Sequence, residues 1–416
     1  MIFSLLAYYF SFSNPMLYLI LSTVFFIGGM VIIYWLHNQY HLDIIVEPTP
    51  PPANAPLISL CVPARNEERN IRACVESLFA QDYPNFEIIV LDDRSTDATH
   101  EILRQFILES ASSLSKPRQM QEQVPALQII SGSDLPVGWA GKPHALYQAS
   151  AAARGEWLCF VDADTFLSPT TLSSCYIKAV ETNADMFTIM TFQITGSFWE
   201  KVVMPLVMTA LSVGFSPRKV NDPNRKDAIA NGQFILIKHS VYDAIGGHES
   251  VKDQIVEDKA ISEQVKWHGY RLIVADGMKV ACTRMYTSLP EMWEGWTKNI
   301  YLGLRDQPPL LILGVFGAFI SLVAALFLPL WPFLGIFWYL NGGGWMAAAV
   351  ILESFVMWAY VIFVRARVAQ KISISWWYAF TTPLGAGIFA AMMITSAFRV
   401  VSGKGVMWKG CMYASK

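Results

Sequence analysis

Charge is concentrated in the middle of this chain. Residues 1–36 carry no charged side chain, and Met16–Leu36 is a largely apolar run long enough to cross a bilayer. After Arg305 the chain turns apolar again, with candidate spans near Leu310–Trp331, Trp345–Val364 and Trp376–Ala397. Charged residues make up only 15% of the whole, against roughly 25% in soluble proteins, and the shortfall lies at the two ends. The N-terminus has no basic stretch ahead of its apolar run, so it reads as a retained anchor and not as a cleavable signal peptide.

Between the ends, short β-rich runs alternate with helical ones. LISLCVP (57–63), EIIVL (87–91), LQII (127–130) and EWLCFV (156–161) read as buried strands, with helices near Asn70–Ala80, Asp97–Glu109 and Lys142–Ala153. This alternation predicts an α/β fold with a mostly parallel sheet covered on both faces, whose ligands sit beyond the carboxyl ends of the strands. The expected organisation is an N-terminal transmembrane anchor over 1–46, a Pro-rich linker over 47–56 and a catalytic domain over 57–287. An interfacial helix follows over 288–309, then transmembrane helices over 310–400 and a basic tail over 401–416. Phe198–Phe215 is a second amphipathic or interfacial candidate. A net charge of −2 with no long basic run argues against nucleic acid as a partner. The six cysteines form no CxxC pair and read as reduced residues.

Three groups of carboxylates stand out. Asp92 and Asp93 follow the strand EIIVL, where a carboxylate can accept hydrogen bonds from a base or a ribose. Asp162-Ala163-Asp164 follows EWLCFV; in an extended segment residues i and i+2 point to the same side, so both carboxylates can meet one hard cation. Mg²⁺ or Mn²⁺ favours such oxygen ligands and is bound jointly with substrate phosphates. Glu257-Asp258 opens an apparent helix, Lys259–Trp267, and offers a general base for an acceptor hydroxyl. The histidines show no HxH or HExxH spacing and read as packing or surface residues.

The segments PARNEERN (63–70), DDRSTDAT (92–99), GWAGKPHAL (138–146), DAD (162–164), NGQFILIK (231–238), GGH (246–248) and ED (257–258) follow one another in that order. Together they resemble an inverting family 2 glycosyltransferase with the GT-A fold, a Rossmann-like mixed sheet flanked by helices. RMY (284–286), EGWTKN (294–299) and the C-terminal apolar segments make the chain similar to membrane-bound members associated with hopanoid and carotenoid glycolipids, the chlorobactene glucosyltransferase-like proteins among them. The resemblance implies that Pro63 and Glu67 line the nucleoside pocket, that Asp93, with Asp92, contacts the base, and that Lys142 lies close to the donor. Asp162 would bind ribose or metal, Asp164 would be the principal metal ligand, and Asp258 the catalytic base. Glu257, Trp296 and Lys298 are further candidates for diphosphate or acceptor contacts. Processive synthases of the family carry Q-x-x-R-W where this chain has Glu294-Gly295-Trp296, which argues against polymer synthesis.

The expected activity is metal-dependent transfer of a single sugar, from UDP-glucose or a similar donor, to a hydroxyl of a membrane lipid such as a carotenoid or hopanoid. The alternatives are a processive polysaccharide synthase and a catalytically inactive scaffold or transporter. The expected location is the plasma membrane, multi-pass, with the catalytic domain in the cytosol. Thr381-Thr382-Pro383-Leu384-Gly385 interrupts the last apolar segment, which predicts a bent or re-entrant element. Glu353 falls within the third span, where a charge costs roughly 2.5–3.5 kcal/mol on insertion scales, and is expected to face the bundle interior.

Overall fold

The computed structural model describes residues 15–39, 42–114, 125–214, 216–305, 313–314, 316–317, 320, 329–408 and 411–413. The candidate span Leu310–Trp331 and the ends of the chain lie largely outside these residues. The chain divides into two compact units, one of His41–Ile194 with Phe215–Met285, the other of Met1–Tyr40, Thr195–Gly214 and Tyr286–Lys416.

The first unit is an α/β domain. Its strands are β1 (Ile58–Ala64), β2 (Phe86–Asp92), β3 (Ala126–Ser131), β4 (Trp157–Val161), β5 (Thr165–Leu167), β6 (Met186–Met190), β7 (Phe192–Gln193), β8 (Phe234–Lys238), β9 (Leu272–Asp276) and β10 (Ala281–Thr283). Seven form one sheet in the order β3-β2-β1-β4-β8-β6-β9, and β5-β10-β7 form a small second sheet. β8 runs antiparallel to both β4 and β6, so the large sheet is mixed. This is the GT-A type of arrangement.

Alternate residues of each central strand enter two separate cores. Ile58, Leu60, Val62, Ile88 and Val90 pack on one face; Cys61, Ile89, Leu91, Phe160 and Ile235 pack on the other. Such strands read as near-continuous apolar runs because neither face meets water. β1 pairs with β2 along its whole length, from Ile58 to Ala64, but with β4 only from Ile58 to Cys61. Pro63 therefore falls where the β4 side of the ladder has already ended, and its missing N–H leaves no gap. Beyond that point β1 and β4 part, and the crevice outside their carboxyl ends is where an open α/β sheet binds its ligands.

The second unit is helical. Its long helices are Pro15–Gln39, Phe198–Gly214, Leu289–Arg305, Gly344–Lys371 and Thr382–Val401. Two helical runs, Pro329–Lys371 and Trp376–Val401, are long and apolar enough to cross a membrane, whereas the apolar run Leu19–Val31 of the first helix is shorter. Helix Phe198–Gly214 belongs to this unit although its sequence interrupts the α/β stretch. The expected interruption near Pro383 coincides with a change of helix type: Trp376–Thr381 is a 3₁₀ turn, and Pro383 sits in the first turn of the α-helix that follows. There its absent N–H would have had no intrahelical partner, so it starts the helix instead of breaking it. Glu353 accepts hydrogen bonds from Ser22 Oγ at 3.0 Å and Thr23 Oγ1 at 2.6 Å of the N-terminal helix.

Candidate active site

The loops after β1 and β2 are sewn together by side chains that bond backbone amides. Asn66 N–H donates to Ser95 Oγ at 3.0 Å, Glu67 N–H to Thr99 Oγ1 at 2.8 Å and Glu68 N–H to Asp97 Oδ2 at 3.1 Å. In the reverse direction Thr96 N–H donates to Asn66 Oδ1 at 2.8 Å. These bonds account for Asn66 in PARNEERN and for Ser95, Thr96, Asp97 and Thr99 in DDRSTDAT. The Glu67 carboxylate accepts from Asn70 Nδ2 at 3.1 Å at the start of helix Ile71–Phe79.

Asp92 is the last residue of β2 and Asp93 follows it; both are buried. Asp92 accepts from Ser95 N–H at 3.1 Å and faces His100 Nδ1 at 3.0 Å. Asp93 is held by two arginines, Arg65 Nη1 at 3.3 Å and Arg94 Nη2 at 3.0 Å. The pair thus sits rigidly at the same strand edge as the DAD segment.

The DAD segment differs from the extended run expected. Asp162 C=O accepts Thr165 N–H at 3.0 Å, so residues 162–165 form a tight turn between β4 and β5. The alternation that places i and i+2 on one side of a strand does not apply there. What relates the two aspartates is a shared neighbour: burial pushes the Cys74 thiol up, and the charges of Asp164, Glu67 and Asp162 push it further. All three carboxylates thus act electrostatically on the same buried thiol. Among the described residues no three of His, Cys, Asp or Glu form a ready-made cation cage. Mg²⁺ or Mn²⁺ is commonly held by one or two carboxylates, with substrate phosphates and water completing its shell. The oxygen donors present fit such an ion.

Lys142, in the first turn of helix Gly141–Ala152, ties the site together. Its Nζ lies 2.6 Å from Asp162 Oδ1 and 2.6 Å from Glu257 Oε1. Burial favours the neutral amine, but Asp162, Glu257 and Asp258 outweigh it and hold the pKa well above the ordinary lysine value. Glu257 and Asp258 open helix Glu257–Trp267. Asp258 Oδ2 accepts Gly232 N–H at 3.0 Å and Oδ1 accepts Lys259 N–H at 2.7 Å. Burial and the charge of Glu257 raise the Asp258 carboxyl to about 6. Burial likewise raises Asp162, against the opposing pull of Lys142.

Two residues without an assigned role in the sequence reading also line this cavity. A Cβ on Gly232 would come within 3.1 Å of Lys142 Nζ, 3.2 Å of Asp258 Oδ2 and 3.4 Å of Asp162 Oδ2. Only glycine leaves that space open, and its place in NGQF was the available signal. His248, in GGH, is buried with Nδ1 2.8 Å from Tyr242 Oη, and burial lowers its pKa to about 4. It is a neutral wall, as the packing reading expected. Lys142, Asp162, Glu257 and Asp258 thus meet in one cavity with Gly232 and His248.

The site thus brings a half-buried carboxyl, a clamped lysine and further carboxylates to the carboxyl edge of a mixed sheet. The Glycosyl transferase family 2 profile matches residues 59–246, the stretch that builds β1 to β8. The chain is a glycosyltransferase with a family 2 domain. The glycosyltransferase is 27% identical over 277 residues to the 4,4'-diaponeurosporenoate glycosyltransferase of Staphylococcus aureus strain USA300, covering 65% of this chain and 68% of that one. The corresponding protein of strain MRSA252 is 26% identical over the same shares. Among solved structures it is similar in fold to the mannosyltransferase PcManGT from Pyrobaculum calidifontis in complex with GDP-Man and Mn²⁺. That match has a TM-score of 0.52 and 18% identity, and covers 92% of this chain and 97% of that one.

Trp296 and Lys298 of this glycosyltransferase lie in the helical unit, on Leu289–Arg305. There a Cβ on Gly295 would collide with Tyr286 Oη and stand 2.5 Å from its Cε1. The Tyr286 ring fills the place that a side chain at 295 would take.

Proposed function

We propose that this glycosyltransferase moves a single sugar from a nucleotide-sugar donor, UDP-glucose or similar, to a hydroxyl of a membrane lipid such as a carotenoid or hopanoid. The observation that carries the reading is Asp258, a half-buried carboxyl fixed by two backbone amides beside Lys142. The carboxylate takes the proton of the acceptor hydroxyl as its oxygen bonds to the anomeric carbon. The bond from that carbon to the diphosphate breaks, and the nucleoside diphosphate leaves. One displacement with one base inverts the anomeric configuration. Lys142 is placed to meet the departing diphosphate. Pro63, Glu67, Asp92 and Asp93 form the nucleoside side of the site. Asp164 with Asp162 would hold Mg²⁺ or Mn²⁺, which supplies positive charge opposite the developing diphosphate charge.

The lipid acceptor is supported by the carotenoid glycosyltransferase relatives and by two helices fit to cross a membrane. A nucleotide sugar and a divalent ion are supported by the GDP-Man and Mn²⁺ bound to the mannosyltransferase of similar fold. Donor supply places the α/β unit in the cytosol and the helical unit in the plasma membrane. Single transfer is favoured over polymerisation because Tyr286 leaves no room for an arginine at position 295. The test is incubation of the purified full chain with UDP-glucose, Mg²⁺ or Mn²⁺ and a bacterial lipid extract, read by mass spectrometry. One lipid gaining a single hexose supports the reading; a ladder of products, or release of free sugar alone, defeats it.

A further inference from the structure

We propose that the cavity between helices Pro15–Gln39 and Gly344–Lys371 binds the hydroxyl end of a long apolar molecule, with Glu353 as its hydrogen-bond acceptor. The inference concerns the helical unit alone and does not depend on the transfer reaction.

The cavity is lined by Ser22, Phe25, Phe26, Trp331, Glu353 and Met357, among others, and its volume is about 20 Å³. That is room for one small polar group, since a water needs roughly 10–15 Å³ by the same measure. Its polar side is a directed relay: Trp331 Nε1 donates to Ser22 Oγ at 3.2 Å, and Ser22 donates to Glu353 Oε2 at 3.0 Å. Thr23 donates to Oε1 at 2.6 Å. Every hydrogen bond in the relay runs toward the carboxylate. A carboxylate has about four acceptor sites, and these two donors use half of them. The remaining capacity asks for a donor, which a hydroxyl provides. A carboxylate ligand would meet like charge. A metal cation would find one carboxylate and two hydroxyls already committed to it.

The other walls decide the rest of the ligand. Phe25 and Trp331 stack at 5.8 Å, and the nearby Ser354 hydroxyl is turned onto its own helix, donating to Val350 C=O at 2.6 Å. A Cβ on Gly29 would stand 2.5 Å from Met357 Cε, so the bare glycine lets that methyl group close the lower end of the seam. Outside the cavity, Val24, Leu352 and Phe355 are exposed and apolar, and the cavity residue Phe25 is itself half-exposed. A ligand with its hydroxyl at Glu353 would lay its chain along this strip. A carboxylate within an apolar helix of membrane-crossing length is a candidate for function by default.

The test uses the full chain in detergent micelles, without sugar donor or metal, and a diazirine photoprobe built on geranylgeraniol, a linear isoprenoid alcohol. Labelled peptides are mapped by mass spectrometry, and labelling is competed with geranylgeraniol or its methyl ether. Label should fall within Pro15–Gln39 or Gly344–Lys371, and the alcohol should compete about ten- to a hundredfold better than the ether. Glu353→Leu should weaken the alcohol by a similar factor and leave the ether unchanged. Equal competition by alcohol and ether in the unaltered protein would overturn the proposal, and that comparison needs no variant to fold. So would label elsewhere, or no saturable labelling, in which case the cavity holds water only.

Discussion

Glu257 Oε1 stands 2.6 Å from Lys142 Nζ, while the same ammonium stands 2.6 Å from Asp162 Oδ1. One cation thus bridges the start of helix Glu257–Trp267 to the end of β4. Glu257 and Asp258 are neighbours in sequence, so this bridge also fixes where the proposed base lies. Lys142→Met keeps most of the stem and removes the charge. It should weaken nucleoside diphosphate binding by about ten- to a hundredfold, the range for a lost charged hydrogen bond. Calorimetric titration with UDP and GDP measures it; unchanged affinity for both would remove Lys142 from the donor site.

Asp164→Ala tests the metal reading. Asp164, with Asp162, is the proposed oxygen donor, and Asp164 is the proposed principal ligand. In the unaltered protein, removal of divalent ions with EDTA should abolish donor binding, and Mn²⁺ should restore it. In the variant Mn²⁺ should restore little, while the circular dichroism spectrum stays unchanged. Full restoration by Mn²⁺ in the variant would count against the assignment.

Much of this architecture was legible in the sequence because buried strands leave long apolar runs. β1, β2 and β4 were read within one or two residues, and Asp92 and Asp162 fall at their ends as expected. Helix Phe198–Gly214 was singled out as unusual, but which unit it joins depends on tertiary packing that no local pattern encodes. The turn at Asp162–Thr165 was missed because two acidic residues around an alanine suit a strand end and a turn equally well. Gly232 carried no role in the reading because its contribution is the absence of a side chain. Lys142 reaching both Asp162 and Glu257 is a long-range relationship, fixed only once β4 and helix Glu257–Trp267 are folded against helix Gly141–Ala152.

Gly295 offers a prediction about folding and specificity in the helical unit. A methyl group there would press on the Tyr286 ring, which also packs edge-on against Trp296 at 6.0 Å. Gly295→Ala gains helix propensity of about 1 kcal/mol, but overpacking costs roughly 1–3 kcal/mol. The balance should lower the melting temperature, and Tyr286→Ala should relieve the effect of Gly295→Ala in the double variant. A Gly295→Ala protein that melts higher than the unaltered one would show that the ring moves aside freely.

The chemical step makes the sharpest demand, because Asp258 must be ionised to take a proton. Burial and the charge of Glu257 raise its carboxyl to about 6 in the folded protein, above the ordinary carboxylate range. Activity should therefore fall as pH drops through about 6, giving an acid limb in kcat/KM. The effect on stability has the opposite sense. A carboxyl that holds its proton more tightly when folded favours the fold at low pH, and that contribution is lost as pH rises through about 6. Asp258→Asn keeps the shape and removes the base, so it should bind donor normally and lose about 10²–10⁴-fold in kcat. It should also flatten the part of the stability profile that Asp258 controls. Glu257→Gln removes the charge that pushes Asp258 up, so the acid limb should move to lower pH while turnover at neutral pH persists. Rates measured from pH 5 to 8 in all three proteins decide the matter, since an acid limb that survives Asp258→Asn belongs to another group.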